Sequence, residues 1–523
     1  MGELLHDLLV KSASKSPASA AVCVKGNETS YADLLDLSLR FAQLLYNTGI
    51  KKGDRVALYL PKQLETIVAV LGISAVGGTF VPINPLLKPD QIKYILNDCS
   101  VTLLISGSDR TKMLSETLTD CPDLRFAITV KSANEKLLTV NGLQVLAWDL
   151  HNIKPLAQTK IHIADSERVA IIYTSGSSGK PKGVVLSHRN MVTGANSVVS
   201  YLNNQASDRI LAVLPFSFDY GLSQLTTSLR VGACIVLMEY LFPRDILTIL
   251  CKERITGLAA VPPLWTQLAK LSWPAEAQTH LRYITSSGGS MPTATINALR
   301  SALPTTQIFL MYGLTEAFRS TYLDPLDLDN RPDSIGKAIP NADITVVRSD
   351  GSECKPGESG ELVHSGPLVA LGYWNDPQQT AQRFKPWPVS PTAEGDNIAV
   401  WSGDTVKMDS DGFLFFIGRK DDMIKTSGYR ISPAEIEEVI HASDAVGHVV
   451  VLGIPDIAIG QSIVAVVAPI KTGARVDIDT IISYCKHKLP AYMVPTKIEI
   501  IDHMPKTPNG KIDRNALMQK YIK

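Results

Sequence analysis

From about residue 20 to 340, short β-branched runs alternate with longer stretches whose apolar positions recur at helical spacing. RVALYL is followed by ETIVAVLGISAV, TFVPI by DQIKYILNDC, and VTLLIS comes next. This rhythm predicts βαβ units and mostly parallel sheets, since a parallel strand is reached through a crossover that is usually helical. Further buried strands are predicted at RVAIIYTS, RILAVLP, CIVLME, GLAAVP, RYITSSGG and QIFLMYG, and a helix at LLHDLLVKSA. From about 340 the texture changes to glycine-punctuated short strands (ADITVVRSDG, ESGELVHSG, DGFLFFIGR). After Arg419 an acidic helix in SPAEIEEVIHAS, apolar strands at VGHVVVLGIP and IVAVVAPI, and DTIISYCKHKL form a compact module of their own. The predicted fold is α/β. A large N-terminal domain, 1–420, holds parallel-rich α/β layers and a small β-barrel-like unit at about 340–420, and a small mobile α+β domain spans 421–523. Such a pairing suits a site that closes over its substrate.

A length of 523 residues allows two to four cores, and 45% hydrophobic with 20% charged residues is ordinary for globular chains. Lys plus Arg and Asp plus Glu balance at 51 each, so no overall field favours nucleic acid or an anionic membrane. A small-molecule substrate fits better. Seven scattered cysteines without a C-x-x-C pair argue against a zinc site and a disulfide framework, which makes a reducing cytosol the expected compartment. The N-terminus has no basic region before its short apolar stretch, and the longest apolar runs are broken by glycines, so neither a signal peptide nor a membrane span is expected.

Four local patterns carry chemistry. Tyr173 to Gly183 reads YTSGSSGKPKG directly after the apolar VAII. Small residues let backbone amides approach a polyphosphate, hydroxyls donate to its oxygens and lysine neutralises charge. Pro181 after Lys180 excludes a Walker A loop, and the segment alone also fits a flexible surface turn. The second pattern is SSGGS at 286–290, followed by FLMYGLTEAF. The Gly288–Gly289 pair permits close approach of a flat ligand, Tyr312 offers a purine a stacking face, and Glu316 can hold a hard cation. Equally, Tyr312 suits a core and Glu316 a helix first turn. The third pattern places Asp404 on a glycine-framed turn, where it can accept from both ribose hydroxyls, with Arg419 near sugar or phosphate; each also passes as a loop charge. The fourth is Lys511 on the turn PKTPNGKID, which in isolation is a solvated surface lysine.

All four in this order resemble the acyl-adenylate-forming superfamily of acyl-CoA synthetases, luciferases and nonribosomal-peptide adenylation domains. The resemblance runs from about residue 8 to 520 and rests on YTSGSSGKPKG, MYGLTE, WSGDTVKMDSDGFLFFIGRKDDMIK, SGYRISPAEIE and PNGKID. It implies that Thr174, Ser175, Gly176, Ser177, Ser178 and Gly179, with Lys182, hold the ATP β- and γ-phosphates. Ser177–Ser178 replaces the more usual Thr-Thr and keeps the hydroxyls. By the same resemblance Gly288, Gly289 and Tyr312 frame adenine, Thr315 meets the α-phosphate, Glu316 holds Mg2+, Asp404 and Arg419 bind the ribose and Arg430 lies near the phosphates. The resemblance likewise implies that Lys511 bridges carboxylate and α-phosphate during adenylation. Asp421 is the implied hinge whose rotation removes Lys511 and opens a path for the thiol.

The acid is addressed by Leu214 to Ser223, LPFSFDYGLS. Asp219 either caps the helix that follows or, as the SFD pattern of amino-acid-activating domains implies, binds a substrate ammonium. Tyr220, Ser223, Ala260, Ser286, Gly288, Met311 and Arg319 match pocket positions of those domains. The chain is most similar to stand-alone prolyl-adenylating carrier-protein ligases and to exosortase-associated acyl-CoA ligases. The expected activity is therefore AMP-forming activation of a small amino acid, L-proline first, and its delivery to a phosphopantetheine thiol, with a short- or medium-chain acyl-CoA synthetase as the alternative. No carrier segment with a modifiable serine follows Lys523, so a carrier protein is expected in trans. A non-catalytic nucleotide binder is disfavoured by the presence of both Glu316 and Lys511.

Overall fold

The computed structural model describes residues 2–130, 139–140, 142–157, 161–175, 180–387, 398–419, 423–443, 445–469, 476–505 and 512–521. Three sheets organise the chain into a large N-terminal and a small C-terminal domain.

In an eight-stranded sheet the strands Leu103–Gly107, Arg55–Tyr59, Thr79–Pro82 and Arg168–Thr174 run parallel, and Lys182–Ser187 returns antiparallel to the last of them. A fourteen-stranded sheet has a parallel centre of Cys234–Leu237, Arg209–Ala212, Gly257–Ala260, Tyr283–Ser286 and Gln307–Tyr312. These strands are buried on both faces, as continuous apolar runs such as CIVL require. Helices fill the crossovers. Leu64–Ala75 is almost wholly buried, and Asp219–Val231 ends at Gly232, whose φ of +81° is a left-handed stop. His188–Leu202 begins in a capping box of Ser187 and Asn190.

The predicted strands and crossover helices are present, with two differences. The N-terminal helix is Asp7–Lys15, starting three residues later than its apolar pattern suggests, because the Asp7 carboxylate accepts the Leu4 N–H and holds that stretch as a turn. The antiparallel region is also not a free-standing sheet. Ser334–Ala338 pairs with Thr321–Leu323 on one side and Leu414–Arg419 on the other, so the β-rich unit continues the large sheet edge to edge.

The five-stranded C-terminal sheet comprises Ile424–Thr426, Tyr429–Ile431, His448–Asp456, Gly460–Ala468 and Lys497–Ile500, over its own core around Ile436, Val451 and Ile481. It docks on the large domain through Gln91, which donates to Glu435 at 2.8 Å, and through a 2.8 Å ion pair between Lys488 and Asp90. All seven cysteines are free thiols. Among the described residues no helix is long and apolar enough to cross a membrane.

Candidate active site

The carboxyl ends of the parallel strands Arg209–Ala212, Gly257–Ala260, Tyr283–Ser286 and Gln307–Tyr312 open on one side, the usual place for a ligand in an α/β sheet. The loops that leave them line a cavity of about 770 Å³, joined by the end of Arg168–Thr174 and by the C-terminal hairpin around Gly428. That volume suits a nucleotide or a drug-sized ligand. Thr174, Ser175, Asp219, Tyr220, Gly288, Thr315, Glu316, Arg319 and Arg430 all contribute to its wall.

One end is a charge cluster. Glu316 is 1% exposed in a short 3-10 turn, with Lys182 Nζ at 3.4 Å and the Tyr373 hydroxyl donating to it at 2.7 Å. Lys182 also reaches the Tyr373 oxygen at 2.6 Å, so the phenol bridges the pair. Burial alone would push the Glu316 carboxyl up, but Lys182, Arg383 and Arg430 together hold it well below the usual carboxylate range. Burial likewise brings Lys182 down to about 8, partly opposed by Glu316. Three cations thus face one carboxylate, an excess that suits a polyphosphate. Among the described residues the Thr174 hydroxyl is buried without a partner beside the cluster, as a donor awaiting an oxygen would be. Glu316, held ionised, could give Mg2+ one oxygen while phosphates and water complete a hard-cation shell. Among the described residues there is no cluster of three metal-ligating side chains.

Of the four residues expected to frame the nucleoside, Gly288, Gly289, Tyr312 and Asp404, Gly288 is the one that lines the described cavity. Tyr312 donates its hydroxyl to Asp404, which is 2% exposed, while its ring lies 6.5 Å from that of Phe416. Gly288 has φ of +86° and stands in the cavity wall, so a side chain there would be strained. Gly289 has no such φ and lies beside Pro262 outside the wall. Arg419 pairs in register with Asp404 across adjacent strands.

The other end would face an acyl group. Asp219 is the first residue of its helix and is 6% exposed; the Thr315 hydroxyl is 3.5 Å away, and among the described residues no cation lies within ion-pair distance. Burial pushes its carboxyl up to about 6, with the charge of Arg319 pulling the other way. Arg319, 2% exposed, lies 4.6 Å over the Tyr220 ring and donates to Ser287 at 3.2 Å. Tyr220 is fixed by a 2.5 Å hydrogen bond with Thr285.

Ser223, Ala260, Ser286 and Met311 do not reach the wall. They form the buried layer beneath it, where Ala260 O accepts from Trp265 and Met311 Sδ from Tyr201. Gly176, Ser177, Ser178, Gly179, Asp421 and Lys511 lie outside the described residues. Sequence reasoning missed Tyr373 and Arg383, which reach Glu316 and Lys182 only through folding; the pair Gly372–Tyr373 was the one local hint, and a core aromatic explains it as well.

A family model for AMP-binding enzymes matches residues 9–374, and one for the AMP-binding enzyme C-terminal domain matches 435–511. The chain is 32% identical over 525 residues to the delta-poly-L-ornithine synthetase of Acinetobacter baumannii (strain AB307-0294), spanning 99% of this chain but only 37% of that protein. It is 28% identical over 558 residues to a long-chain-fatty-acid–CoA ligase of Bacillus subtilis (strain 168), covering 99% and 94% of the two chains. Two solved structures of the o-succinylbenzoate CoA synthetase of Bacillus subtilis are informative together. A double mutant bound to the product analogue OSB-NCoA superposes with TM-score 0.83 at 25% identity, covering 98% of each chain. The complex with the acyl-adenylate intermediate OSB-AMP gives 0.68 at 26% identity, covering 98% and 97%. With both of its domains matched in order by the models, the chain belongs to the AMP-binding enzyme family.

Proposed function

We propose that this ATP-dependent acid–thiol ligase activates a small amino acid as its adenylate and passes the aminoacyl group to the phosphopantetheine thiol of a carrier protein. L-proline, the substrate implied by the resemblance of the motifs, is the reference compound. The observation that carries this reading is one cavity holding both a cation cluster around an ionised Glu316 and a buried carboxylate, Asp219, with no ion-pair partner among the described residues. A buried carboxylate without an ion-pair partner is costly, and a substrate ammonium would relieve it.

In the first step a substrate carboxylate oxygen attacks the α-phosphorus of ATP and pyrophosphate leaves. Lys182, Arg430 and the Thr174 hydroxyl would hold the polyphosphate, with Gly176 to Gly179 completing the loop. Glu316 would hold Mg2+, which supplies charge neutralisation there. Lys511 would bridge the carboxylate and α-phosphate, Thr315 would meet the latter, and Tyr312, Asp404 and Arg419 would frame the nucleoside. In the second step the thiol sulfur attacks the acyl carbon, AMP departs and the thiol proton passes to solvent.

The domain arrangement is that of the second step in this proposal. The higher score against the OSB-NCoA complex than against the OSB-AMP complex of the same synthetase supports it, as does the hairpin at Gly428 in the cavity wall. Adenylation would then require rotation of the domain 421–523 about Asp421 against 1–420. The same match also favours a second reading, in which coenzyme A accepts the acyl group of a short acid.

Pyrophosphate exchange into ATP across amino acids and their desamino analogues tests the proposal. Exchange with L-proline or another small amino acid above cyclopentanecarboxylate supports it. Efficient exchange with hexanoate or octanoate and none with any amino acid overturns it in favour of the second reading.

A further inference from the structure

We propose that Arg319 forms a second substrate-recognition point in the acyl chamber, one that selects acids whose acyl portion carries a hydrogen-bond acceptor, a side-chain carboxylate or carboxamide. The proposal rests on the amino-acid reading above and narrows it.

Arg319 stands three residues after Glu316, on the loop that leaves the last parallel strand, and it forms part of the cavity wall. It is 2% exposed, so its charge is withdrawn from water. A guanidinium so placed needs acceptors for five donors, and carboxylates satisfy it best through two parallel bonds. Here its neighbours are neutral hydroxyls, Ser287 Oγ at 3.2 Å and the buried Tyr201 phenol, and among the described residues its Nε–H is buried with no partner. The flat faces of Tyr220 and Phe318, 4.6 and 5.9 Å from the guanidinium carbon, fix its plane without meeting its donors. Among the described residues it forms no ion pair, although Asp219 lines the same chamber. A buried polar network left incomplete in the empty protein is the usual mark of a site completed by its ligand.

The chamber therefore presents an anion at Asp219 and a cation at Arg319 that form no ion pair with each other. L-proline would satisfy Asp219 and leave the guanidinium as it is. An amino acid such as aspartate or asparagine would satisfy both, its ammonium at Asp219 and its side-chain oxygen at Arg319. A site built to hydrogen-bond a polar group discriminates strongly against analogues lacking it, because its own groups are then left unpaired.

The test is pyrophosphate exchange with the full-length enzyme on L-aspartate, L-asparagine, L-2-aminobutyrate and L-proline, repeated with Arg319→Met and Arg319→Lys. The wild type should show kcat/KM for aspartate or asparagine at least roughly 10²-fold above 2-aminobutyrate, and which of the two leads identifies the acceptor as carboxylate or carboxamide. Arg319→Met should erase that ratio while leaving KM for ATP unchanged, and Arg319→Lys should retain part of it for aspartate alone. A wild type that prefers proline or 2-aminobutyrate, or an Arg319→Met enzyme that loses activity on all acids in equal proportion, overturns the proposal. The wild-type panel decides even if a variant fails to fold. Should no amino acid support exchange, the Asp219 reading falls by itself, and succinate against butyrate then judges Arg319, equal exchange with both overturning it.

Discussion

If Asp219 receives the substrate ammonium, acidification should oppose catalysis at a pH that its burial dictates. Its carboxyl is raised to about 6 from the usual 3.8. It would then be about nine-tenths ionised at pH 7 and about one-tenth at pH 5, whereas an ordinary aspartate would stay almost wholly ionised. Because kcat/KM reports the free enzyme, its value for the amino-acid substrate should fall roughly tenfold from pH 7 to pH 5. A desamino analogue should behave oppositely, since its apolar carbon meets a neutral acid more favourably than a carboxylate. Asp219→Asn should abolish the limb near pH 6 for both compounds and lower kcat/KM for the amino acid by roughly 10²-fold. The same rise has a stability counterpart. The folded chain keeps this proton up to about pH 6, while the unfolded chain releases it near 3.8, so the penalty is absent below 3.8 and complete above 6. Asp219→Asn should therefore stabilise the ligand-free protein above pH 6 by up to about 3 kcal/mol and by nothing near pH 3.5, as read by urea denaturation. Parallel pH profiles for the amino acid and its desamino analogue, or a less stable Asp219→Asn protein at pH 7.5, would refute the reasoning.

Three further outcomes follow from the rest of the site. Glu316→Gln leaves Lys182 buried beside Arg383 and Arg430 without its counter-charge, and should cost roughly 3 kcal/mol in urea denaturation besides suppressing pyrophosphate exchange; an unchanged midpoint would remove the ion pair from the account. Lys511→Ala should nearly abolish pyrophosphate exchange while thiol transfer from a supplied acyl-adenylate stays much less affected, and equal loss in both half-reactions would refute the division of labour. Asp421→Pro should slow thiol transfer far more than exchange, because proline restricts φ where the domain would rotate; comparable slowing of both would place the hinge elsewhere.

The sequence made the strand rhythm legible because the parallel strands are buried on both faces, and continuous runs such as CIVL and GLAA have few alternative uses. The glycine at 288 and the acids at 219 and 316 were legible because each lies on the segment that follows the carboxyl end of such a strand. What was hidden depends on long-range convergence. Tyr373 bridges Lys182 and Glu316 across 191 and 57 residues of sequence, and no local pattern distinguishes it from a packing tyrosine. Ser223, Ala260, Ser286 and Met311 match pocket positions by alignment of motifs, yet the described cavity stops at Tyr220, Ser287 and Arg319 above them. Sequence likewise reveals the two domains but not their relative arrangement, which contacts such as Gln91 with Glu435 record.

The most direct test of the central claim is the identity of the nucleotide product when the full-length protein turns over ATP with an amino acid and a phosphopantetheine thiol. Stoichiometric AMP and pyrophosphate, formed only when the acid is present and accompanied by one aminoacyl thioester per AMP, is the predicted result. Release of ADP and phosphate, or AMP formation that is indifferent to the acid, would contradict it.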